Sequence, residues 1–233
     1  YNILQRDLPM NKDLLEISDG KLYGNNDMAK VNCHDCAGCS SCCEDMGQSI
    51  WLDPYDIYQL TKNLGKTMEE LLAREVEFHV EDGLILPNLK MVGNEMPRCG
   101  FLNDAGRCSI HSIRPGYCRL FPLGRNYEED KLTYFVLKDA CPVPNKSKVK
   151  INKWIGVPRL KEYERFLVEW HMLTKRLRAF YAEHMEEEAV IKAVNMKFLQ
   201  IFYLTPYETE DFYPEFDSRV ETMKTLLESM KIC

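Results

Sequence analysis

"CHDCAGCSSCCEDMGQSIWLDPYDI", residues 33–57, places Cys33, Cys36, Cys39, Cys42 and Cys43 within eleven residues. Thiols that dense need partners, which means disulfides or a thiophilic metal. The chain has ten cysteines, nine of them between residues 33 and 141 and the tenth at Cys233. Ten allow five disulfides in a secreted protein, but a dense run with C-x2-C spacing is the ligand pattern of a reducing compartment. At 233 residues the chain can bury a hydrophobic core of its own, so metal is not needed to rescue a scaffold too small to fold.

Spacing narrows the choice of metal. A zinc ribbon needs a second C-x2-C knuckle, whereas the downstream cysteines come singly at Cys99, Cys108, Cys118 and Cys141. Cys36, Cys39 and Cys42 recur every third residue, as in the opening of the bacterial ferredoxin run that wraps a cubane. The fourth ligand comes from afar: Cys141, followed by Pro142, or alternatively Cys33. In an extended chain the neighbours Cys42 and Cys43 point to opposite sides, so Cys43 is expected to join Cys99, Cys108 and Cys118 at a second centre. The expected cofactor is one or two [4Fe–4S] clusters, with zinc as the alternative.

"CSIHSIRPGYCRLFP", residues 108–122, adds Arg114 and Arg119. Cations beside an anionic cluster offset its charge and raise its potential, so both are candidate cofactor-binding residues. The alternative is that they pair with nearby carboxylates. His111 is a candidate ligand whose alternative is a structural role between apolar neighbours, and His34 is one that the five cysteines around it make unnecessary.

Working outward, Asp53-Pro54 reads as an N-cap followed by proline at the first helical position, with Ile57, Tyr58, Leu60 and Leu64 on one stripe and Gly65 as the stop. Thr67 and Glu70 form a capping-box pattern that opens a second helix with Met68, Leu71, Leu72 and Val76. Before the cluster there is one short helical stretch at 12–17 and then turn residues. From Gly83 to about residue 139, short apolar runs broken by Gly, Pro and Asn predict small strands, with the later cysteines at their edges. From Pro158 the period becomes helical, with Leu160, Tyr163, Phe166, Leu167, Trp170, Leu173, Leu177 and Phe180 three and four apart. Two further helices follow, over 189–204 and 218–230. The aromatics Trp170, Phe180, Tyr181, Phe198, Phe202 and Tyr203 read as core rather than a stacking surface. The acidic, aromatic segment 203–216 reads as a surface connection.

The expected fold class is α+β: a loop-rich cysteine-cluster core with short strands and helices, and a mainly helical C-terminal third. The expected division is a cysteine-rich region over 1–157 and a helical region over 158–233, packed as one unit. A net charge of −6 argues against nucleic acid as a partner, and the basic run 146–153 reads as solvated surface. Membrane is not expected as a partner, because no apolar run of about 18 residues exists. The first residues lack the basic start and apolar core of a secretory signal, so the expected compartment is cytoplasmic.

Together "CAGCSSCC" at 36–43, Cys99, Cys108, "IRPGYCRLFP" at 113–122 and "CP" at 141–142 resemble the YkgJ-type CxxCxxCC family of zinc- or iron-chelating domains. The resemblance covers residues 33–142. It implies a metal centre, and through a distant relation to flagellin lysine N-methylase it implies a cluster-dependent protein-modifying enzyme as one alternative. The chain has no glycine-rich turn to cradle a nucleotide. The leading reading is an iron–sulfur protein in redox or electron transfer with a redox or protein partner. Its alternatives are a zinc-binding structural or interaction module and the modifying enzyme.

Overall fold

The computed structural model describes residues 12–33, 39–128 and 131–230. In chain order these form α1 (Lys12–Ile17), β1 (Met28–Asn32), α2 (Pro54–Leu64), α3 (Met68–Arg74), β2 (Val76–Glu81), β3 (Leu84–Leu89), β4 (Met91–Val92) and β5 (Arg98–Cys99). There follow α4 (Gly116–Leu120), β6 (Leu123–Glu128), β7 (Lys131–Val136), β8 (Ser147–Lys150), α5 (Ile151–Ile155), α6 (Leu160–Glu183), α7 (Glu188–Leu199) and α8 (Phe212–Ser229). The fold class is α+β, with short antiparallel pairs and a helical C-terminal region.

The chain divides into two compact units, each discontinuous in sequence: residues up to 49 with 91–169, and residues 50–90 with 170 onward. The first holds the two-stranded pairs β1·β8, β4·β5 and β6·β7. Its pairings are distant in sequence where β1 meets β8, with Ala29 opposite Val149. The first part of α6 is tied in by Glu164, which accepts from Asn25 Nδ2 at 2.9 Å and from the Tyr134 hydroxyl at 2.9 Å. All the described cysteines lie in this unit.

The second unit begins with the two capped helices. Asp53 accepts the Asp56 N–H at 2.9 Å while Asp56 accepts the Asp53 N–H at 3.1 Å, and Gly65 ends α2 at φ 63°. That left-handed turn is open to glycine at no steric cost. Thr67 and Glu70 exchange the same pair of bonds at the start of α3. The β2–β3 hairpin turns at Asp82 and Gly83, with φ of 49° and 80°, which are the signs of a type I′ turn matched to strand twist. Asn195 of α7 fastens that turn, accepting from Ile85 N–H at 2.9 Å and donating to Gly83 O at 2.8 Å.

The expected aromatic core is present except for Phe180, which is half-buried and stacks on His184 with ring centres 4.3 Å apart. Trp170 stacks on Phe198 at 5.3 Å between ring centres and meets Phe202 edge-on at 5.1 Å, and Tyr181 and Tyr203 are buried. Two expectations change. The helix over 189–204 is α7 followed by a π turn, Gln200–Leu204. The last helix starts at Phe212 rather than near 218, inside the segment read as a connection. Pro214 falls in the first turn of α8, where its missing N–H breaks no helical bond, and Asp211 caps the helix by accepting from Tyr213 N–H at 3.3 Å. No helix among the described residues is long and apolar enough to cross a membrane.

Candidate metal centre

Cys33 leaves the end of β1 buried. Residues 41–43 are not extended, as the sequence reading assumed, but form a 3₁₀ turn closed by Cys43 N–H to Ser40 O at 2.7 Å. Successive side chains of a 3₁₀ turn diverge less than those of a strand, and the thiols of Cys42 and Cys43 are hydrogen-bonded to each other. Cys39 Sγ lies 3.5 Å from Ser41 Oγ.

Two backbone links bring this turn to a distant segment: a bridge between Glu44 and Arg98, and Asp45 N–H to Pro97 O at 2.8 Å. Arg98 precedes Cys99, which β5 holds buried. The loop after Cys99 folds back through Ser109 N–H to Phe101 O at 2.8 Å and a bridge between Leu102 and Cys108. Cys118 sits in α4. Cys141 follows β7, and its carbonyl accepts from Lys146 Nζ at 2.8 Å.

The thiols act on one another in two groups. The bond from Cys43 favours the Cys42 thiolate and lowers its pKa, against burial and with help from Arg114. The same bond raises Cys43, reinforced by burial and by Cys42, Cys118 and Cys99. Burial raises Cys99 and Cys108, and the nearby Cys42 adds to both, while Arg114 and Arg107 pull Cys108 back. In the second group burial raises Cys141, Cys33 and Cys39 add to that rise, and Lys146 opposes it. Crowded thiols in a poorly hydrated place resist losing their protons singly. A thiophilic cation that replaces several protons at once relieves that cost.

The expected sites are thus distributed as follows. Cys42, Cys43, Cys99, Cys108 and Cys118 share one neighbourhood, and Cys33, Cys39 and Cys141 share the other. Cys42 acts on Cys43 and on the downstream Cys99 and Cys108, and Cys33 and Cys39 act on Cys141. Cys36, His34 and Cys233 lie outside the described residues. Among the described residues there is no disulfide, and no three His, Cys, Asp or Glu side chains converge closely enough to hold an ion as they stand.

Arg114 reaches the first group, whereas Arg119 donates to Ser112 O at 3.1 Å. Sequence reading missed Lys146, which it placed in a solvated basic run, and Arg107. Their one signal was a cation one residue before Cys108 and another five after Cys141. An all-sulfur donor set, partly buried and flanked by cations, fits a soft metal or an iron–sulfur cluster.

No curated protein and no solved structure matches the chain. A family model, CxxCxxCC, described as "Putative zinc- or iron-chelating domain", matches residues 35–142, a span that takes in eight of the ten cysteines. Residues 35–142 thus match the family that the cysteine pattern resembles, and the description of that family supports metal binding in this region.

Proposed function

We propose that the cysteine-rich unit is an iron–sulfur module holding one or two [4Fe–4S] clusters and serving electron transfer. The observation that carries this reading is the gathering of thiols from four separated stretches into two neighbourhoods, each with its own cation. Cys43, Cys99, Cys108 and Cys118 would hold one cluster, with Cys42 beside them. Cys33, Cys39 and Cys141 would contribute to the other, and Cys36 is the further thiol of its spacing. A bound cluster supplies a one-electron couple. The protein's part is to keep thiolates available, limit water through burial, and offset negative charge with Arg114 and Lys146.

Oxygen-free purification followed by iron, acid-labile sulfide and zinc quantitation tests this. The expected result is brown protein with iron and sulfide in equal amounts and a visible absorption bleached by dithionite. Colourless protein with stoichiometric zinc and no sulfide would replace the cluster with a structural ion. Protein free of both metals would end the metal reading for these thiols.

A further inference from the structure

The first unit carries a basic face that neither of its strands has alone. β1 and β8 pair antiparallel, with Met28 opposite Lys150, Ala29 opposite Val149 and Lys30 opposite Lys148. Side chains alternate across a ribbon, and the burial follows that alternation. Ala29 and Val31 are buried and Val149 is half-buried, whereas Met28, Lys30, Lys148 and Lys150 are exposed. One face therefore packs inward, and the other presents three lysines around a methionine that is 48% exposed. Opposite side chains on one face stand about 4.5–5.5 Å apart at Cβ and diagonal ones about 7–8 Å, so Lys30 has Lys148 beside it and Lys150 one step away.

Like charges directly opposite destabilise a strand pair. Among the described residues none of the three ammonium groups has a hydrogen bond or an ion pair that would offset this cost. The carboxylate at the end of the ribbon, Asp27, accepts the Gly24 N–H at 2.7 Å. The basic run 146–153 does not by itself make this face, since β1 supplies Lys30.

The face begins where one thiol neighbourhood ends. Asn32, opposite Ser147, is followed by Cys33, and Lys146, just before β8, donates to the Cys141 carbonyl at 2.8 Å. Lys30 is three residues from Cys33, at most about 10 Å along an extended chain. The chain's net charge is −6, so an extended polyanion is repelled by the molecule as a whole. A compact acidic patch within one Debye length, about 8 Å at physiological salt, meets the lysines alone, and Met28 adds an apolar contact that a protein surface can cover.

We propose that the solvent face of the β1–β8 ribbon is the docking surface for an acidic patch on a partner protein. Resting on the electron-transfer reading above, that partner is the electron donor or acceptor for the centre at Cys33, Cys39 and Cys141. A charge-steered contact speeds encounter without a large or long-lived interface, which suits a carrier that leaves after one electron.

The test titrates the full chain, purified without oxygen, with a hexaglutamate peptide, with double-stranded DNA and with phosphatidylserine-containing vesicles, each by calorimetry at low and at physiological salt. The expected result is saturable, salt-sensitive binding of hexaglutamate. It should weaken about tenfold in the ribbon variant Lys30→Gln/Lys148→Gln/Lys150→Gln. It should not weaken in Lys161→Gln/Lys192→Gln/Lys197→Gln, which has the same net charge and loses exposed lysines elsewhere. No binding of hexaglutamate, equal affinity in the parent and the ribbon variant, or equal weakening in the two variants overturns the proposal. Tighter binding of DNA or vesicles that is lost in the ribbon variant also overturns it, by assigning the face to nucleic acid or membrane. Iron, sulfide and zinc are quantified on the same samples. Docking on a zinc-loaded chain upholds the face and ends the electron-transfer reading, whereas an iron–sulfur chain that does not dock upholds that reading and ends the face.

Discussion

Arg114 donates from Nη1 to His111 Nε2 at 2.6 Å, and its charge favours the thiolates of Cys42 and Cys108. An arginine can only donate, so His111 is an acceptor at Nε2 and holds its proton at Nδ1. That arrangement uses the imidazole to position a cation, which removes His111 Nε2 from the set of candidate ligands.

If the proposed cluster is bound, Arg114→Gln should act on its electronics. Removing a positive charge disfavours the more negative reduced state, so the midpoint potential of the anaerobically loaded protein falls, on the order of tens of millivolts. Arg119→Gln is the control, because Arg119 is bonded to the Ser112 carbonyl and its loss should leave the potential in place. A redox titration in which the two variants shift equally would remove Arg114 from this role.

The two thiol neighbourhoods predict a separable metal load. Cys43→Ala should empty the group that contains Cys99, Cys108 and Cys118, and Cys141→Ala the group that contains Cys33 and Cys39. Each variant is expected to keep about half of the parent's metal, and the double variant none, because each ligand set is tied to local folding. Iron and sulfide per chain decide it. Complete loss in either single variant means that the thiols serve one centre.

What the sequence showed and what it hid follow from the range of the interactions. The α2 and α3 caps were legible because each box is written in residues three apart, Asp53 with Asp56 and Thr67 with Glu70. The full set of downstream thiols was legible because cysteine is rare and soft. The nearness of Cys42 to Cys99 and Cys108 was not, since it depends on Glu44 finding Arg98 and on Leu102 finding Cys108, and such contacts leave no periodic trace. The start of α8 was hidden for a local reason. Proline argues against helix everywhere except the first turn, and Pro214 occupies it.

Arg219 should be the residue on which the second unit's π turn depends. Its guanidinium donates to the carbonyls of Ile201, Thr205 and Pro206 and to Glu215, and lies 3.7 Å over the Tyr207 ring. Arg219→Met leaves several acceptors unpaired and is expected to cost about 2–4 kcal/mol in urea unfolding.

Its partner gives that stability a pH dependence. Burial raises Glu215, but the Thr209 backbone N–H and Arg219 outweigh it, so the net pKa is lowered. A lowered folded value means stabilisation that is present above the ordinary carboxylate range, about 4.3, and lost as pH falls through the folded value. Glu215→Gln should be less stable than the parent at pH 7, with the gap closing as acid is added. A gap that stays constant down to the acid transition would show that Glu215 contributes through shape alone.

Gly124 of β6 offers a test in which two effects oppose each other. Alanine at a strand position restricts the unfolded chain and on that ground adds about 0.4–1 kcal/mol of stability. Here, however, a Cβ would stand 2.2 Å from Phe135 Cζ and 2.4 Å from its Cε2, with Phe135 directly opposite in register and fully buried. A buried ring cannot retreat into a packed interior, and overpacking costs about 1–3 kcal/mol, so the clash wins and Gly124→Ala is destabilising. Phe135→Leu alone also destabilises, by loss of buried volume. The Gly124→Ala/Phe135→Leu double variant should lose less than the sum of the two, because the smaller side chain vacates the space that the new methyl needs. Additive losses in that cycle would mean that the ring moves aside freely and that Gly124 is required for some reason other than the ring above it.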